Sequence, residues 1–463
     1  MVAAAVAEAS AELPGFSPVT GVRGIVPAGA GVATGGGGDG GRASTGYSNE
    51  QPLTRTVLPN GLTVLSTFIP GVRSIALGAW VRAASIHESP ERLGLSHLLE
   101  HMVFKGTSRR SARELALALE SLGGSLDAYT SREHTAFQAR VLDEHLPQAA
   151  DVLHDLMFSP LLRERDLQLE RKVVLEEISM VEDTPDDLVF ELHNNLLWKG
   201  GPYGWPILGT RESVSSLGVE DLRALHSTAY QPGRVVVAAA GSLDHDQLLE
   251  NLQATGWMDL PGEPVQPLPA PAVDVAHALR RHAERQLTQT HVVMGSSSVA
   301  YADPRRTVVN IIGAVMGGTM SSRLFQRVRE ELGLAYSVYT FQSYHQDTGV
   351  HGVYLATAPE SAAEAVEVVN AELARLCSEG LGEEELRAGK NQLKGSLTFS
   401  MEGVSSRMNR AAASELYGVP YRTLDEMLAI VEAVTADEVA SVCREFHSPD
   451  RQSVLTLGPG SEA

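Results

Sequence analysis

The stretch Gly94-Leu95-Ser96-His97-Leu98-Leu99-Glu100-His101-Met102-Val103-Phe104-Lys105-Gly106-Thr107 carries two imidazoles and a carboxylate at helical spacing. His97 and His101 stand at i and i+4, one turn apart on one helix face, and Glu100 shares that face. Leu98, Leu99, Met102 and Val103 fill the rest of the cylinder, so the pattern predicts a helix buried nearly all round. Polar groups in such a helix are costly unless something satisfies them. Two satisfied core histidines are the bland alternative. A divalent metal answers better, because zinc accepts two neutral imidazoles and a catalytic zinc site keeps one position open for water. The order His-x-x-Glu-His inverts the commoner His-Glu-x-x-His, and both set a glutamate base beside two metal-binding imidazoles. The motif supplies only two ligands, so a third must come from elsewhere.

The elements that must hold this helix are legible around it. Thr54 to Leu58 and Leu62 to Leu65 flank Asn60-Gly61, the strongest short hairpin signal. Ser74 to Val81 reads as a strand, and Ser111 to Leu122 as a second helix with Ser111 as N-cap. Gly123-Gly124 turns into Ser125 to Thr130, with Thr135 to Leu142 returning antiparallel. Helices follow over Leu146 to Met157 and Arg163 to Val181, and Val235 to Ala240 is an apolar strand ending at Gly241. Prolines then recur through residues 260–272, an extended spacer. Beyond it the pattern repeats. His291 to Met294 matches Ser74 to Leu77, Arg306 to Val315 matches the metal helix without its histidines, and Gly352 to Thr357 again precedes a helix, Ser361 to Leu376. The expected fold is α+β: two homologous α/β units, each a mostly antiparallel sheet covered by helices. Residues 1–50 are expected as a low-complexity, disordered extension, 51–259 as the zinc-binding catalytic domain, 260–272 as the linker and 273–463 as the second domain.

Composition narrows the classes. A chain of 463 residues with 43% hydrophobic and 20% charged residues can build a sizeable core in two or three domains. A net charge of −20 argues against a nucleic-acid partner and suits basic or unfolded peptides. Cys377 and Cys443 lie far apart in sequence without a Cys-x-x-Cys, so neither a disulfide framework nor a thiolate metal site is expected, and the compartment is read as reducing. No run reaches the roughly 18 apolar residues of a membrane span. Glu8 and Glu12, with no basic n-region, argue against a secretory signal and fit a transit peptide poorly. The expected location is the bacterial cytoplasm, with the mitochondrial matrix as the alternative.

Four blocks resemble the pitrilysin-type (inverted zincin) zinc metallopeptidases, close to the mitochondrial processing peptidase β-subunit and its bacterial relatives. They are His97 to His101; Gly123-Gly124 with Asp127-Ala128-Tyr129-Thr130; Glu170 to Ile178; and Ser321-Ser322-Arg323-Leu324-Phe325 with Arg329, Gly333 and Tyr336-Ser337. The resemblance runs from about Arg55 to about Leu457 and implies one Zn2+ per chain. Its third ligand would be Glu177, 76 residues after His101. Charge balance asks for the same thing, since two neutral imidazoles leave the ion uncompensated; the alternative is a solvated acidic helix face. Glu170, two turns before Glu177, would orient a ligand or pair with an arginine.

The chemistry implied is metal-assisted peptide hydrolysis, with Glu100 taking and returning the proton. Arg329 and Tyr336 would hold the substrate or its tetrahedral intermediate by oxyanion-type contacts, the alternative being a surface arginine and a core tyrosine. In long members four such units form a clamshell. Two units therefore imply half a clamshell and a homodimer, with Arg329 and Tyr336 serving the partner's zinc; a heterodimer with a related subunit is the other arrangement. Peptide would add as a strand at the edge Asp127-Ala128-Tyr129-Thr130, with Asp127 and Ala128 binding it, although the family has Asn where this chain has Asp127. Asp187 and Glu191 match positions where processing peptidases hold a substrate arginine, unless they are ordinary surface acids. The reading is a zinc endopeptidase cleaving peptides or unfolded basic, Arg-containing segments in a closed chamber. Its rival is a non-catalytic scaffold or peptide-binding subunit, and retention of His97, Glu100, His101 and Glu177 together favours the enzyme. His134, His145, His154, His193, His345 and His351 lack metal spacing and are expected as surface or core residues.

Overall fold

A computed structural model describes residues 51–265 and 268–460, so the extension expected at 1–50 and residues 266–267 of the spacer lie outside the described residues. The first sheet has six strands: β1 (Thr54–Val57), β2 (Thr63–Phe68), β3 (Ser74–Val81), β4 (Ser125–Thr130), β5 (Thr135–Leu142) and β6 (Val235–Gly241). They lie in the order β1-β2-β6-β3-β5-β4, antiparallel except where β2 runs alongside β6. The Asn60-Gly61 turn forms as its sequence predicts. Gly61 sits at φ +89°, where a Cβ would meet the Glu263 carbonyl oxygen at 2.6 Å, so only glycine serves.

The second sheet has five strands: β7 (Arg280–Glu284), β8 (Thr290–Ser298), β9 (Ala335–Tyr344), β10 (Gly349–Thr357) and β11 (Ser453–Gly458). Their order, β7-β11-β8-β10-β9, retraces β2-β6-β3-β5-β4 strand for strand, including one parallel pair in the same place. Helices Leu95–Val103, Ala112–Glu120, Leu146–Phe158 and His245–Ala254 cover one face of the first sheet around Leu77, Leu98, Met102, Phe137 and Leu153. Arg306–Gly317 and Ala362–Glu379 do the same for the second, around Ile311, Ile312, Val353 and Leu373.

Every residue of β6 and of β10 is buried, so each sheet needs cover on both faces. The two halves supply it by exchange. Helix Val404–Leu416, late in the chain, lays Val404, Met408, Ala411 and Ala412 on Leu65, Trp80, Val236 and Ala238 of the first sheet. Helix Pro185–Leu197, from the first half, puts Val189 against Val293, Tyr354 and Leu455 of the second. Each fully buried aliphatic side chain contributes about 1.5–3 kcal/mol, so the exchange ties the halves together through apolar burial. Cys377 and Cys443, distant in sequence, meet in this second half, where the Cys377 thiol donates to the Cys443 carbonyl at 3.2 Å. Among the described residues, no helix is long and apolar enough to cross a membrane.

Candidate metal centre

The histidine helix, Leu95–Val103, starts at Gly94. A Cβ there would lie 2.4 Å from the Leu208 carbonyl oxygen, which holds the helix entry against the neighbouring loop. Its first free N–H groups are satisfied by Glu88, whose carboxylate accepts from Gly94 N at 2.8 Å and Ser96 N at 2.6 Å. Burial pushes the Glu88 carboxyl up to about 7 against the pull of those N–H groups. Leu95, Leu98, Leu99, Met102 and Val103 are buried, and they fix the rotation that brings the two imidazoles to the other side. Against that side lies helix Glu164–Asp183, whose buried positions Leu167, Glu170, Val174 and Ile178 form one stripe.

Three groups converge there. The Glu177 Oε2 lies 3.7 Å from His97 Nε2 and 3.6 Å from His101 Nε2, and the two rings are 4.6 Å apart between centroids. One ligand atom from each of the three falls within 4.8 Å of the others, the only such group of three among the described residues. His101 Nε2 and Glu177 Oε2 are buried with no hydrogen-bond partner. Orphaned buried acceptors are expensive, and an ion between them removes the cost. Two imidazoles and a carboxylate are the donor set of a zinc site with an open position, so these residues fit the metal.

The electrostatics follow from burial and partners. Burial holds His97 neutral, its pKa down to about 3, with His101 adding to the effect. Burial also opposes charge on His101, but the Glu170 hydrogen bond and the Glu177 carboxylate outweigh it and the net direction is upward. The His101 Nδ1 donates to Glu170 Oε2 at 3.2 Å, and Glu170 Oε1 accepts from Lys105 Nζ at 2.8 Å. Burial raises the Glu170 carboxyl, yet these two partners win and lower it. With Nδ1 donating to Glu170, the neutral His101 ring has its lone pair on Nε2. The partner of Glu170 is therefore His101 with Lys105, not an arginine. Burial raises Glu177, with His101 opposing.

Glu100 is buried beside this cluster and does not belong to it. Burial pushes its carboxyl up to about 7, and the Thr130 hydroxyl, donating to Oε2 at 2.6 Å, opposes the rise.

A cavity of about 1520 Å³ opens over the cluster. His97, Glu100, Glu177, Ala128, Asp187 and Glu191 line it from the first half, and Arg329 and Tyr336 from the second. The Arg329 guanidinium lies 4.2 Å from the Tyr336 ring centroid and donates to the Tyr336 carbonyl at 3.1 Å. Tyr336 is 73% exposed, so the alternative of a core tyrosine does not describe it. β4 is an outer strand of its sheet. Ala128 and Thr130 face the cavity, whereas Asp127 is exposed and does not line it. Both Asp187 and Glu191 have carboxyls raised chiefly by burial, and Arg132 opposes the rise at Glu191.

Of the six histidines without metal spacing, His193, His345 and His351 are buried, while His134, which lines the cavity, His145 and His154 are half-buried. Sequence reasoning missed Glu88, Lys105 and Glu133, and the bond from Thr130 to Glu100. Glu133 accepts from Tyr203 OH at 2.8 Å and from the Gln346 N–H at 2.9 Å, joining the two halves at the cavity wall.

A family profile described as insulinase (peptidase family M16) matches residues 63–211, and one described as peptidase M16 inactive domain matches residues 216–393. An uncharacterized zinc protease of Streptomyces coelicolor is 36% identical, with 88% of this chain and 90% of the relative covered. Another, of Bacillus subtilis, is 37% identical over 88% of this chain and 99% of its own length. Among solved structures, a peptidase M16 inactive domain from Pseudomonas fluorescens superposes with a TM-score of 0.83 at 20% identity, covering 89% of this chain and 98% of that one. A protease from Helicobacter pylori gives 0.82 at 20% identity, covering 88% and 99%. At that identity the likeness is one of fold.

Proposed function

We propose, on the premise that this chain belongs to peptidase family M16, that it is a zinc-dependent endopeptidase acting on peptides or unfolded basic, Arg-containing segments. The observation that carries the reading is the convergence of His97, His101 and Glu177 within 4.8 Å, with Glu100 buried alongside. His97, His101 and Glu177 would hold one zinc ion, which when bound supplies Lewis acidity at the scissile carbonyl and lowers the pKa of water. Glu100 accepts a proton from the attacking water and delivers it to the leaving amine. Glu170 keeps His101 oriented. Ala128 and its neighbours on β4 offer an unpaired sheet edge to an extended peptide, and Asp187 and Glu191 supply negative charge to a basic side chain. Arg329 and Tyr336 present a cation and a phenol to developing oxyanion charge.

The half-clamshell resemblance supports a homodimer in which Arg329 and Tyr336, although they line their own chain's cavity, act on the partner's site. Mixing Glu100→Gln with Arg329→Ala chains is expected to regain turnover that neither has alone; no recovery would argue against sharing. The primary test is metal content together with hydrolysis of an Arg-containing quenched-fluorescent peptide, with and without chelator. About one zinc per chain and chelator-sensitive, zinc-restored cleavage are expected. A protein that holds zinc and turns over nothing would be a binding or scaffold subunit.

A further inference from the structure

We infer that Thr130 is a positioning residue for the base: its hydroxyl fixes the Glu100 carboxylate and so joins the peptide-accepting edge strand to proton transfer. The inference rests on the peptidase reading above and goes beyond it. The bond is short, 2.6 Å from Thr130 Oγ1 to Glu100 Oε2, and both residues are buried in the cavity wall. Thr130 ends β4, paired directly with Thr135 of β5, whose hydroxyl lies 3.4 Å from its own. A β-branched side chain in a strand has little freedom at χ1, so the hydroxyl direction is set by the backbone.

Glu100 lies on the histidine helix, and that helix is held by its own apolar packing. The terminal bond of Glu100 is a soft torsion, and Thr130 is the hydrogen-bond partner its carboxylate has. The Thr130 hydroxyl sets that torsion. It engages Oε2 and leaves Oε1 as the oxygen to receive a proton. Because Ala128 and Thr130 share one face of β4, a peptide that pairs with the strand and shifts it also shifts the donor that holds the base.

The test compares Thr130→Val, which keeps the branched shape and removes the donor, with Thr130→Ser, which keeps the donor. With the wild-type chain alongside, Thr130→Val is expected to lower kcat about 10- to 100-fold with KM within about 2-fold and zinc content unchanged. Thr130→Ser is expected to recover most of the loss. In a Glu100→Gln background, Thr130→Val is expected to change little further, since the group it acts through is gone. Unchanged kcat in Thr130→Val, equal loss in both variants, or full additivity with Glu100→Gln would overturn the inference. An inactive wild type would strike the peptidase reading instead. The Thr130 claim then stands or falls on a crystal structure of Thr130→Val, in which a Glu100 carboxylate still in its wild-type orientation overturns it.

Discussion

The two halves solve one packing problem in opposite ways. Each has a helix following the third strand of a matched order, crossed by a long helix later in the unit: Leu95–Val103 by Glu164–Asp183, and Arg306–Gly317 by Glu383–Ser400. In the second half the crossing is closed at Gly389, where a Cβ would stand 2.7 Å from Val315 Cγ2 and 3.1 Å from Ile311 Cγ2. In the first half the same crossing is kept polar by His97, His101, Glu170 and Glu177. One scaffold thus gives a sealed aliphatic contact or a ligand pocket, according to a few residues on two facing helices. The sealed copy stabilises, and the open copy carries buried polar atoms, His101 Nε2 and Glu177 Oε2 among them, that have no hydrogen-bond partner.

The sharpest break between the halves is expected from Glu100→Gln, which should cut peptide turnover by about 10³-fold while zinc content and melting temperature stay put. Full turnover would remove Glu100 as base and with it the chemical half of the contrast. Next comes Glu170→Ala. Freed from its carboxylate, His101 loses tautomer and orientation, and zinc affinity measured by chelator competition is expected to fall about 10- to 100-fold. In the sealed copy, Gly389→Val should leave zinc binding intact and cost about 2 kcal/mol of stability in denaturant unfolding, because the crossing has no room for the added methyls. A neutral or stabilising result would show that this contact is not tight.

The smallest effect is the pH dependence that one histidine of the second half contributes. His351 is buried with its Nε2 3.0 Å from the Phe446 carbonyl, and burial brings its pKa down to about 4 from an ordinary 6.5. Between those values the unfolded chain binds the proton and the folded chain does not. Stability is therefore complete above about pH 6.5 and lost as pH falls toward 4. One such histidine is expected to account for about 1 kcal/mol between pH 7 and pH 5.5. Urea midpoints of wild type and His351→Asn at those two pH values check it, the variant showing the shallower dependence.

Much of this arrangement was legible in the order of residues. The i, i+4 histidines, the Asn60-Gly61 turn and the repeat of strand and helix signals depend on local spacing, which a sequence displays directly. The all-apolar β6, Val235 to Gly241, even announces that both faces of its sheet are covered. What covers them was not legible. An apolar stripe states that a helix must pack, not against which sheet, so the exchange of Pro185–Leu197 and Val404–Leu416 between halves stayed hidden. The approach of Cys377 to Cys443 and the Thr130 bond to Glu100 were hidden for the same reason: each joins positions that only the tertiary path brings together. The seven-residue spacing of Glu170 and Glu177 puts both on one face of their helix, but Lys105 as a second partner of Glu170 depends on how the histidine helix ends.

The outer strands β4 and β9 both turn residues into the concave cavity. A bare sheet edge is ordinarily a template on which any neighbouring sheet can grow, and proteins blunt such edges with charge, proline or bulges. Here concavity does part of that work. Set into the cavity wall, β4 and β9 present their free edges inward, away from the outer surface on which a neighbouring sheet would have to dock.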